Sequence, residues 1–406
     1  MVPVLDLPAG SAVERGLRYG ATMRARIERS LANYAQLFAL SGIAWKEACR
    51  RAAALTDAIG NFAPGLLDEL AGVARGAGRA MEELLALNAR TEILSGGPLA
   101  AAPGECTAVA VAPWASATGG TLLAQNWDWF SAQRDALVLL RVRKDSGPGF
   151  LTLAEAGMLA KIGLNAAGLG ICLNILHSSD DGERPGVPVH IFLRALLDED
   201  SVASAVEAAR RATFSASSNV LCADAAGALV ALELCPRGVR IVREDGRTLC
   251  HTNHFLDEET ARRETPLAVD LSSRARLARA RQILANSARI GVEDIARLLW
   301  DRSDGPLSIC RVPDTSMPEL ECVETVASVL MELETRVLRL TLDPRAKRWS
   351  QTVFVDSEGG GEERRSARTS KLAPDRQTGR KRANARVGRS PRARGRLPAP
   401  KKRPPE

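Results

Sequence analysis

Cys106 is the residue of this 406-residue chain whose surroundings most strongly suggest covalent chemistry. It follows the Gly- and Pro-rich run SGGPLAAAPGE (95–105) and begins the β-type run CTAVAV, so an exposed connection is predicted to lead directly into a strand. A cysteine thiolate can attack the carbonyl carbon of an amide or a thioester. A lone cysteine is nevertheless more often a small buried apolar residue, so its position alone does not establish a nucleophile.

The base that would activate this cysteine is not evident in the sequence. A cysteine nucleophile usually works with a histidine, yet the chain has only four histidines and none stands in a recognisable Cys/His signature. Cleavage of the peptide bond before Cys106 would remove the need, because the freed α-amine, with a reference pKa of about 8, can accept the thiol proton. The sequence therefore predicts a cysteine that becomes the N-terminus of its own fragment.

Several separated motifs in a fixed order resemble the acyl-coenzyme A:6-aminopenicillanic acid acyltransferase (isopenicillin N acyltransferase) family, peptidase family C45, a branch of the N-terminal nucleophile hydrolases. The resemblance runs from about residue 10 to 355 and rests on GECTAVAV, QNWDWFSA, LTLAEAGMLAKIGLNAAGLGICLNIL, VPVHIFLRALL, CHTNHFL and LSICR. It implies autocatalytic cleavage between Glu105 and Cys106, fragments that stay together, and an αββα fold. The fungal member has Asp-Gly where this chain has Gly104 and Glu105, and the mechanism does not require that glycine.

The same resemblance implies roles for four side chains. Cys106 matches the nucleophile, Asp128 in QNWD and Arg311 in SICR match the catalytic acidic and basic residues, and Asn253 in HTNH matches the oxyanion-hole asparagine. The residue types suit these roles. An asparagine NH₂ can donate to a developing oxyanion, a guanidinium favours a thiolate, and a carboxylate can hold an ammonium group or position the arginine.

Other side chains near these motifs have alternative interpretations. Trp127, Trp129 and Phe130 could form the wall of an acyl pocket, although aromatic residues in a strand more often serve packing. His251 and His254 lack a third ligand nearby, which favours a structural role around Asn253 over a metal site. The run GLNAAGLG lacks the lysine of a phosphate-binding loop and is predicted to be a hairpin turn.

The elements that must position these residues change character along the chain. Residues 13–95 have the three-to-four-residue apolar spacing of helices, whereas short β-type runs alternate with turns from Thr107 onward. Two helical stretches lie between groups of strands, which favours an α+β fold with a four-layer αββα sandwich. We predict a helical N-terminal segment (1–105), an αββα catalytic part (106–356) and a disordered basic tail (357–406).

The net charge of +7 arises from the tail. Residues 364–406 carry 16 Lys and Arg against two acidic residues, so the tail has net charge +14 and residues 1–363 have −7. The tail has no aromatic residue to stack on bases, so only weak, nonspecific nucleic-acid contact is expected from it. Scattered cysteines, no long apolar stretch and no secretory pattern at the start predict a cytoplasmic protein without membrane partners.

Two function classes remain open from the sequence. The first is a self-cleaving cysteine acyltransferase or amide hydrolase, whose partners are an acyl donor, an amine or water as acceptor, and its own N-terminal fragment. No cofactor or metal is expected, and acyl-coenzyme A enters only as a substrate. The second is a weakly active or inactive homologue that binds nucleic acid or acidic partners through its basic tail.

Overall fold

The structure is a computed structural model that describes residues 1–95, 106–244, 246–265, 270–314, 316–318 and 322–356. The chain divides into a compact unit, Met1–Gly359, and a second unit, Gly360–Glu406. The predicted disordered tail and Glu105 lie outside the described residues. None of the helices in the described ranges is both long enough and apolar enough to cross a membrane.

The N-terminal segment is helical, as its apolar spacing predicts. Ser11 begins the first helix with a capping box, because its hydroxyl accepts from the N–H of Glu14 while the Glu14 carboxylate accepts from the N–H of Ser11. The helices are α1 (Ala12–Thr22), α2 (Arg24–Leu40), α3 (Trp45–Ala53), α4 (Thr56–Phe62), α5 (Pro64–Ala77), α6 (Met81–Asn88) and α7 (Arg90–Leu94). Gly16 and Gly72 let α1 and α5 approach so closely that a Cβ at either position would meet the main chain of the other helix.

Fourteen strands in the described residues form two sheets. The eight-stranded sheet has the order β1-β4-β5-β6-β7-β8-β9-β10, with β1 (Val4–Leu7), β4 (Leu137–Val142), β5 (Phe150–Glu155), β6 (Ile162–Asn165), β7 (Gly170–Ile175), β8 (Ser218–Ala223), β9 (Leu229–Cys235) and β10 (Gly238–Val242). The six-stranded sheet has the order β11-β2-β3-β12-β13-β14, with β2 (Cys106–Val111), β3 (Leu122–Phe130), β11 (Thr248–His251), β12 (Val323–Glu332), β13 (Val337–Thr341) and β14 (Gln351–Phe354).

One strand does not follow the sequence-based division into segments. β1 belongs to the predicted helical segment, yet it pairs in parallel with β4 and forms one edge of the eight-stranded sheet. All other pairings in the two sheets are antiparallel. The first residues of the chain are therefore part of the sheet structure that carries the later strands.

The two sheets pack face to face between layers of helices. Ala108 and Ala110 of β2 join the core that also contains β7 and β8, whereas Val109 and Val111 pack on the opposite side. The helices after the first segment are α8 (Val189–Leu196), α9 (Val202–Arg211), α10 (Glu258–Ala261), α11 (Asp270–Ala285) and α12 (Val292–Leu299). α11 and α12 cover the six-stranded sheet and α9 covers the eight-stranded sheet, which confirms the predicted four-layer αββα sandwich.

The run GLNAAGLG forms a turn between two strands, as predicted. It joins β6 to β7, and Gly168 has φ of +96°, a conformation that other residues rarely adopt. The Asn165 side chain accepts hydrogen bonds of 3.0 Å from the N–H groups of Gly168 and Leu169. These contacts hold a tight hairpin and give the run a structural explanation.

Candidate active site

Cys106 is the first residue of β2 and is buried, with 4% of its surface exposed. It lies opposite Trp127 in the β2–β3 pairing. Because side chains alternate along a strand, Cys106 shares the inner face with Ala108, while Thr107 points to the α11 side. The thiol therefore lies between the two sheets, at the end of a strand and directly after the Gly- and Pro-rich run.

The main-chain nitrogen of Cys106 is bound by the side chain of Asn253. The N–H donates to Asn253 Oδ1 at 2.7 Å, and Asn253 Nδ2 donates to the carbonyl of Ile175 at 3.0 Å. The Cys106 N–H can only donate and the Ile175 carbonyl can only accept, so these two partners determine which way the Asn253 side-chain amide is oriented. Asn253 thus presents its oxygen to Cys106 and has one further N–H on Nδ2.

Arg276 of α11 lies on the same side of Cys106 and was not predicted from the sequence. Its Nη1 donates to the Cys106 carbonyl at 2.7 Å and to Thr107 Oγ1 at 3.0 Å, and its Nη2 donates to Asn253 Oδ1 at 3.0 Å. The guanidinium is completely buried. Asn253, Arg276 and Ser273, whose hydroxyl accepts from the Asn253 N–H at 2.8 Å, are called the Asn253 wall below.

The two histidines beside Asn253 form part of its support. His251 Nε2 lies 2.8 Å from Glu233 Oε1, and that carboxylate also accepts from the N–H groups of Leu256 and Asp257. His254 Nδ1 lies 2.7 Å from Ser273 Oγ. These contacts agree with a structural role around Asn253, since they connect the end of β11 and the segment after it to β9 and α11.

Asp128 and Arg311 are brought together through Thr325. Thr325 Oγ1 donates to Asp128 Oδ1 at 2.7 Å and accepts from the Arg311 N–H at 2.8 Å, and the Thr325 N–H donates to the Arg311 carbonyl at 3.1 Å. Asp128 also lines the same small cavity as Cys106, and its main-chain N–H lowers the pKa of the thiol while its carboxylate raises it. Asp128 therefore lies beside the nucleophile, while Arg311 joins the same group of residues through its main chain.

The opposite side of Cys106 carries buried charges among aromatic rings. Lys161 Nζ lies 3.1 Å from Glu155 Oε2 and 3.5 Å from the centre of the Trp127 ring. Arg90 Nε lies 3.7 Å from the same carboxylate oxygen, and its guanidinium lies 4.3 Å from the centre of the Trp129 ring. These five residues are called the Lys161 wall.

The Lys161 wall encloses a small cavity beside the thiol. Its lining consists of Arg90, Cys106, Trp127, Asp128, Trp129, Lys161, Leu173 and Ile175. Two of the three aromatic residues predicted to form an acyl pocket thus line the space next to the nucleophile. Phe130 instead packs edge-on against Trp129 with ring centres 4.9 Å apart.

Electrostatics at the thiol are unfavourable in the intact chain. Burial and the nearby Asp128 carboxylate raise the pKa of Cys106 to about 11, against smaller opposing effects of Lys161, the Asp128 N–H and Arg276. Burial, aided by repulsion from Arg90, lowers the pKa of Lys161 to about 7, although Glu155 opposes this shift. The thiol therefore holds its proton near neutral pH and needs a base to become reactive.

Three positively charged residues of the site were missed at the sequence level. Lys161 was the most detectable, because it is a single cation within the apolar run MLAKIGL. Arg276 belongs to an arginine-rich helix, RARLARAR, in which nothing distinguishes it from its neighbours. Arg90 precedes Cys106 by sixteen positions, and only the tertiary structure brings it to the site.

Comparison with known proteins agrees with the motifs. The family model described as acyl-coenzyme A:6-aminopenicillanic acid acyl-transferase matches residues 115–347, a range that includes Asp128, Asn253 and Arg311 and begins after Cys106. The chain is 33% identical over 254 residues to the 40 kDa form of acyl-coenzyme A:6-aminopenicillanic-acid-acyltransferase from Emericella nidulans. That alignment covers 61% of this chain and 67% of the relative.

Solved structures show weaker similarity. An N-acylethanolamine-hydrolyzing acid amidase ortholog from Caenorhabditis elegans is 15% identical, with a TM-score of 0.42 and coverage of 61% of this chain and 99% of that chain. A variant of the conjugated bile acid hydrolase from Clostridium perfringens is 14% identical, with a TM-score of 0.44 and coverage of 58% and 89%. From the family match and the Emericella relative, this chain belongs to the acyl-coenzyme A:6-aminopenicillanic acid acyltransferase family.

Proposed function

We propose that the chain cleaves itself between Glu105 and Cys106 and then uses Cys106 as the nucleophile of an acyltransferase or amide hydrolase. The observation that carries this proposal is the contact of Asn253 Oδ1 with the Cys106 nitrogen. Cleavage would turn this nitrogen into the α-amine, which would already have a buried acceptor. An amine bound in this way is held next to the thiol whose proton it must accept.

The cleavage step needs only groups of the chain and one water molecule. The Cys106 sulfur adds to the carbonyl carbon of residue 105, the carbon–nitrogen bond breaks, and the thiol proton passes to the departing nitrogen. Water then hydrolyses the resulting thioester, which leaves a carboxyl group on Glu105 and a free thiol and amine on Cys106. Because burial raises the pKa of this thiol to about 11, removal of its proton is the demanding part of the step.

Catalysis by the cleaved enzyme would repeat the same chemistry on a substrate. The α-amine accepts the thiol proton, the sulfur attacks the acyl carbon, and the leaving group departs with the proton that the amine has taken up. The second N–H of Asn253 Nδ2 is available to donate to the oxyanion, while its other N–H stays on Ile175. Thr325 links the Asp128 carboxylate to the main chain of Arg311, and it thereby holds Asp128 in place beside the thiol.

The substrate class proposed for this site is an N-acyl amide or an acyl thioester, including acyl-coenzyme A. The name of the Emericella relative supports an acyl-coenzyme A donor and an amine acceptor. Water as acceptor would make the same acyl-enzyme a hydrolase. No step in this scheme requires a cofactor, because the thiol and the amine supply the nucleophile and the base.

Intact-mass measurement of purified protein tests the proposal without knowledge of a substrate. Wild-type protein is expected to resolve into pieces of 105 and 301 residues. A Cys106→Ala chain should stay whole, whereas Cys222→Ala, which removes another buried thiol, should be cut like wild type. Wild-type protein that turns over an acyl substrate while its mass shows one uncut chain would refute the proposal.

A further inference from the structure

Self-cleavage has to begin without the base that the cut enzyme would use. The α-amine of Cys106 exists only after the bond before it is broken, while burial raises the pKa of the Cys106 thiol to about 11 in the intact chain. Another group of the intact chain must therefore take the thiol proton in the first step. That group has to lie next to the thiol and have a form that accepts a proton near neutral pH.

Lys161 lies beside the same small cavity as the thiol. Cys106 is paired with Trp127 across β2 and β3, and Lys161 Nζ lies 3.5 Å from the centre of that Trp127 ring. Lys161 and Cys106 both line the cavity, whose volume of about 10 Å³ is close to the space that one water molecule needs. Across a cavity of this size, a proton can pass from the sulfur to Nζ directly or through one water molecule.

The charge balance around Lys161 favours an uncharged lysine. Glu155 Oε2 lies 3.1 Å from Lys161 Nζ and 3.7 Å from Arg90 Nε, so two basic side chains share one carboxylate. All three side chains are at most 2% exposed. The charges of this group cancel when one of its two basic members is neutral, and a guanidinium does not lose its proton in proteins. The lysine is therefore the member that is able to accept a proton.

We propose that Lys161 is the catalytic base of the first step of self-cleavage. This inference rests on the self-cleavage proposed above and names the group that starts it. Neutral Nζ takes the proton of the Cys106 thiol, and the sulfur adds to the carbonyl carbon of residue 105. As the carbon–nitrogen bond breaks, the Lys161 ammonium returns the proton to the departing Cys106 nitrogen, so the lysine ends the step uncharged, as it began. In the cut enzyme the α-amine takes over as the base.

Other ionisable groups surround Lys161 and its partner Glu155. They are Tyr34 of α2, Arg90 of α7, Cys106 of β2, Asp128 of β3 and His190 of α8. Burial holds the pKa of His190 well below its ordinary value and that of Tyr34 well above its own, so neither changes charge between pH 6 and 8. Burial lowers the pKa of Lys161 itself to about 7, aided by Arg90 and opposed by Glu155. The rate of self-cleavage should therefore rise through pH 7.

The first test is the pH dependence of cleavage in the wild-type precursor. Protein captured by a short radiolabelled cell-free translation is shifted to pH 6, 7 or 8, and its fragments are quantified against time. Cleavage should be about tenfold faster at pH 8 than at pH 6, because the neutral fraction of a base with a pKa of about 7 rises by that factor. Equal rates, as for a carboxylate base that is ordinarily ionised over this range, would overturn the inference. A rise of about a hundredfold, as for a thiol that ionises into solvent, would overturn it too.

Glu92→Gln is the matched control for this pH dependence. Burial raises the pKa of Glu92 to about 7, so this carboxyl group titrates over the same range. Its side chain accepts from the N–H of Val189 at the start of α8, a contact that the amide oxygen of glutamine can also make. The variant should keep the tenfold rise in cleavage rate.

Substitution by arginine separates a base from a charge. Lys161→Arg keeps a cation beside Glu155 but has no form that accepts a proton, so cleavage at pH 8 should be slower by about 10² or more. A lysine that acted only through its charge would be replaced by arginine with no loss of rate. Lys144→Arg is the matched control, since Lys144 pairs with Asp198 at the surface, and it should be cut like wild type. The slow background reaction still supplies cut Lys161 variants after long incubation.

The outcomes separate this inference from the proposed function. Lys161→Arg that is cut at the wild-type rate, with a thermal unfolding midpoint close to that of wild type, would overturn the role of Lys161 and leave self-cleavage intact. Where Lys161→Arg does not fold, the pH dependence of wild type decides, since it needs no substitution at this position. Active wild-type protein that is uncut would instead refute the proposed function itself.

Discussion

The two walls beside Cys106 differ in how they satisfy buried polar groups. On the Asn253 wall, hydrogen bonds of 2.7 Å join Asn253 and Arg276 to the main chain of Cys106, and one of 3.0 Å joins Arg276 to Asn253. On the Lys161 wall, the carboxylate of Glu155 balances the charges of Lys161 and Arg90, whose other contacts there are with aromatic rings. Hydrogen bonds fix the direction of a group, whereas charges among rings set the local potential with less directional control.

The walls also differ in their origin along the chain. All residues of the Asn253 wall follow Cys106, but the Lys161 wall includes Arg90, and Tyr34 also donates to Glu155. The Asn253 wall can therefore act on the nitrogen of Cys106 without the N-terminal segment. The Lys161 wall exists only while the residues before and after position 106 stay packed together.

Loss of the central carboxylate should give the largest effect. Glu155→Gln leaves Lys161 and Arg90 buried without their counter-charge, and we expect a loss of about 3 to 5 kcal/mol in the free energy of unfolding near neutral pH, measured by urea denaturation. Burial disfavours ionisation of Glu155, but Lys161 and Arg90 outweigh it and hold its pKa below the ordinary 4.5. The contribution is thus present above pH 4.5 and disappears as the pH falls through the lowered pKa. Equal stability of variant and wild type at pH 7 would contradict this interpretation.

Removal of the Asn253 amide should have the next largest effect, on rate. In cut material, Asn253→Ala should lower kcat by roughly 10² to 10³ with little change in KM, because oxyanion donation favours the transition state over bound substrate. Steady-state kinetics with an N-acyl amide or acyl thioester measures this split. The thiol must remain open to alkylation as the control. A wild-type rate in the cut variant would show that Asn253 is not the oxyanion donor and that backbone N–H groups serve instead.

Removal of the positive charge of Lys161 should change the reactivity of the Cys106 sulfur, by less than Asn253→Ala changes kcat. Lys161, whose own pKa is about 7, lowers the pKa of Cys106 against the effects of burial and Asp128, so Lys161→Gln should slow alkylation of the thiol at pH 6, where Lys161 is protonated, on the order of tenfold. Lys144→Gln is the matched control, since Lys144 pairs with Asp198 at the surface. Unchanged alkylation in Lys161→Gln would show that the charge does not act on the sulfur.

A smaller effect on stability and rate is expected when Ser273, which supports Asn253, is replaced. Ser273→Ala removes the acceptor of the buried Asn253 N–H, which should cost about 1 to 3 kcal/mol of unfolding free energy. The midpoint of thermal unfolding should fall accordingly, and kcat should fall less than in Asn253→Ala. A kcat loss equal to that of Asn253→Ala would show that the hydroxyl takes part in the reaction more directly.

Truncation after Asp356 should have the smallest effect. The removed segment has too few large apolar residues to join a core, so kcat and the unfolding midpoint should match those of the full chain. Trypsin should remove the same segment first from the intact protein. A truncated protein that melts well below the full chain would disprove the prediction of a disordered tail.

The sequence predicts the layers of this fold better than it predicts the site. Apolar spacing locates the N-terminal helices, and β-type runs locate strands such as β2 and β3, because both periods are local properties. β1 was missed because four residues carry little periodic signal, and only its pairing with β4 defines it. Arg90 and Arg276 were missed for the same reason, since their importance arises from contacts with residues distant in sequence.

The pairing of β1 with β4 has a consequence for refolding. A break anywhere in the connection 95–105 would leave one sheet built from two separate chains, with β1 contributed by the shorter one. Recovery from full denaturation then becomes an encounter between two molecules, so its rate and yield depend on protein concentration. An unbroken chain has no such dependence. If the chain folds before it is cut, the cut enzyme reaches a native state that its two separated fragments would not recover at low protein concentration after denaturation.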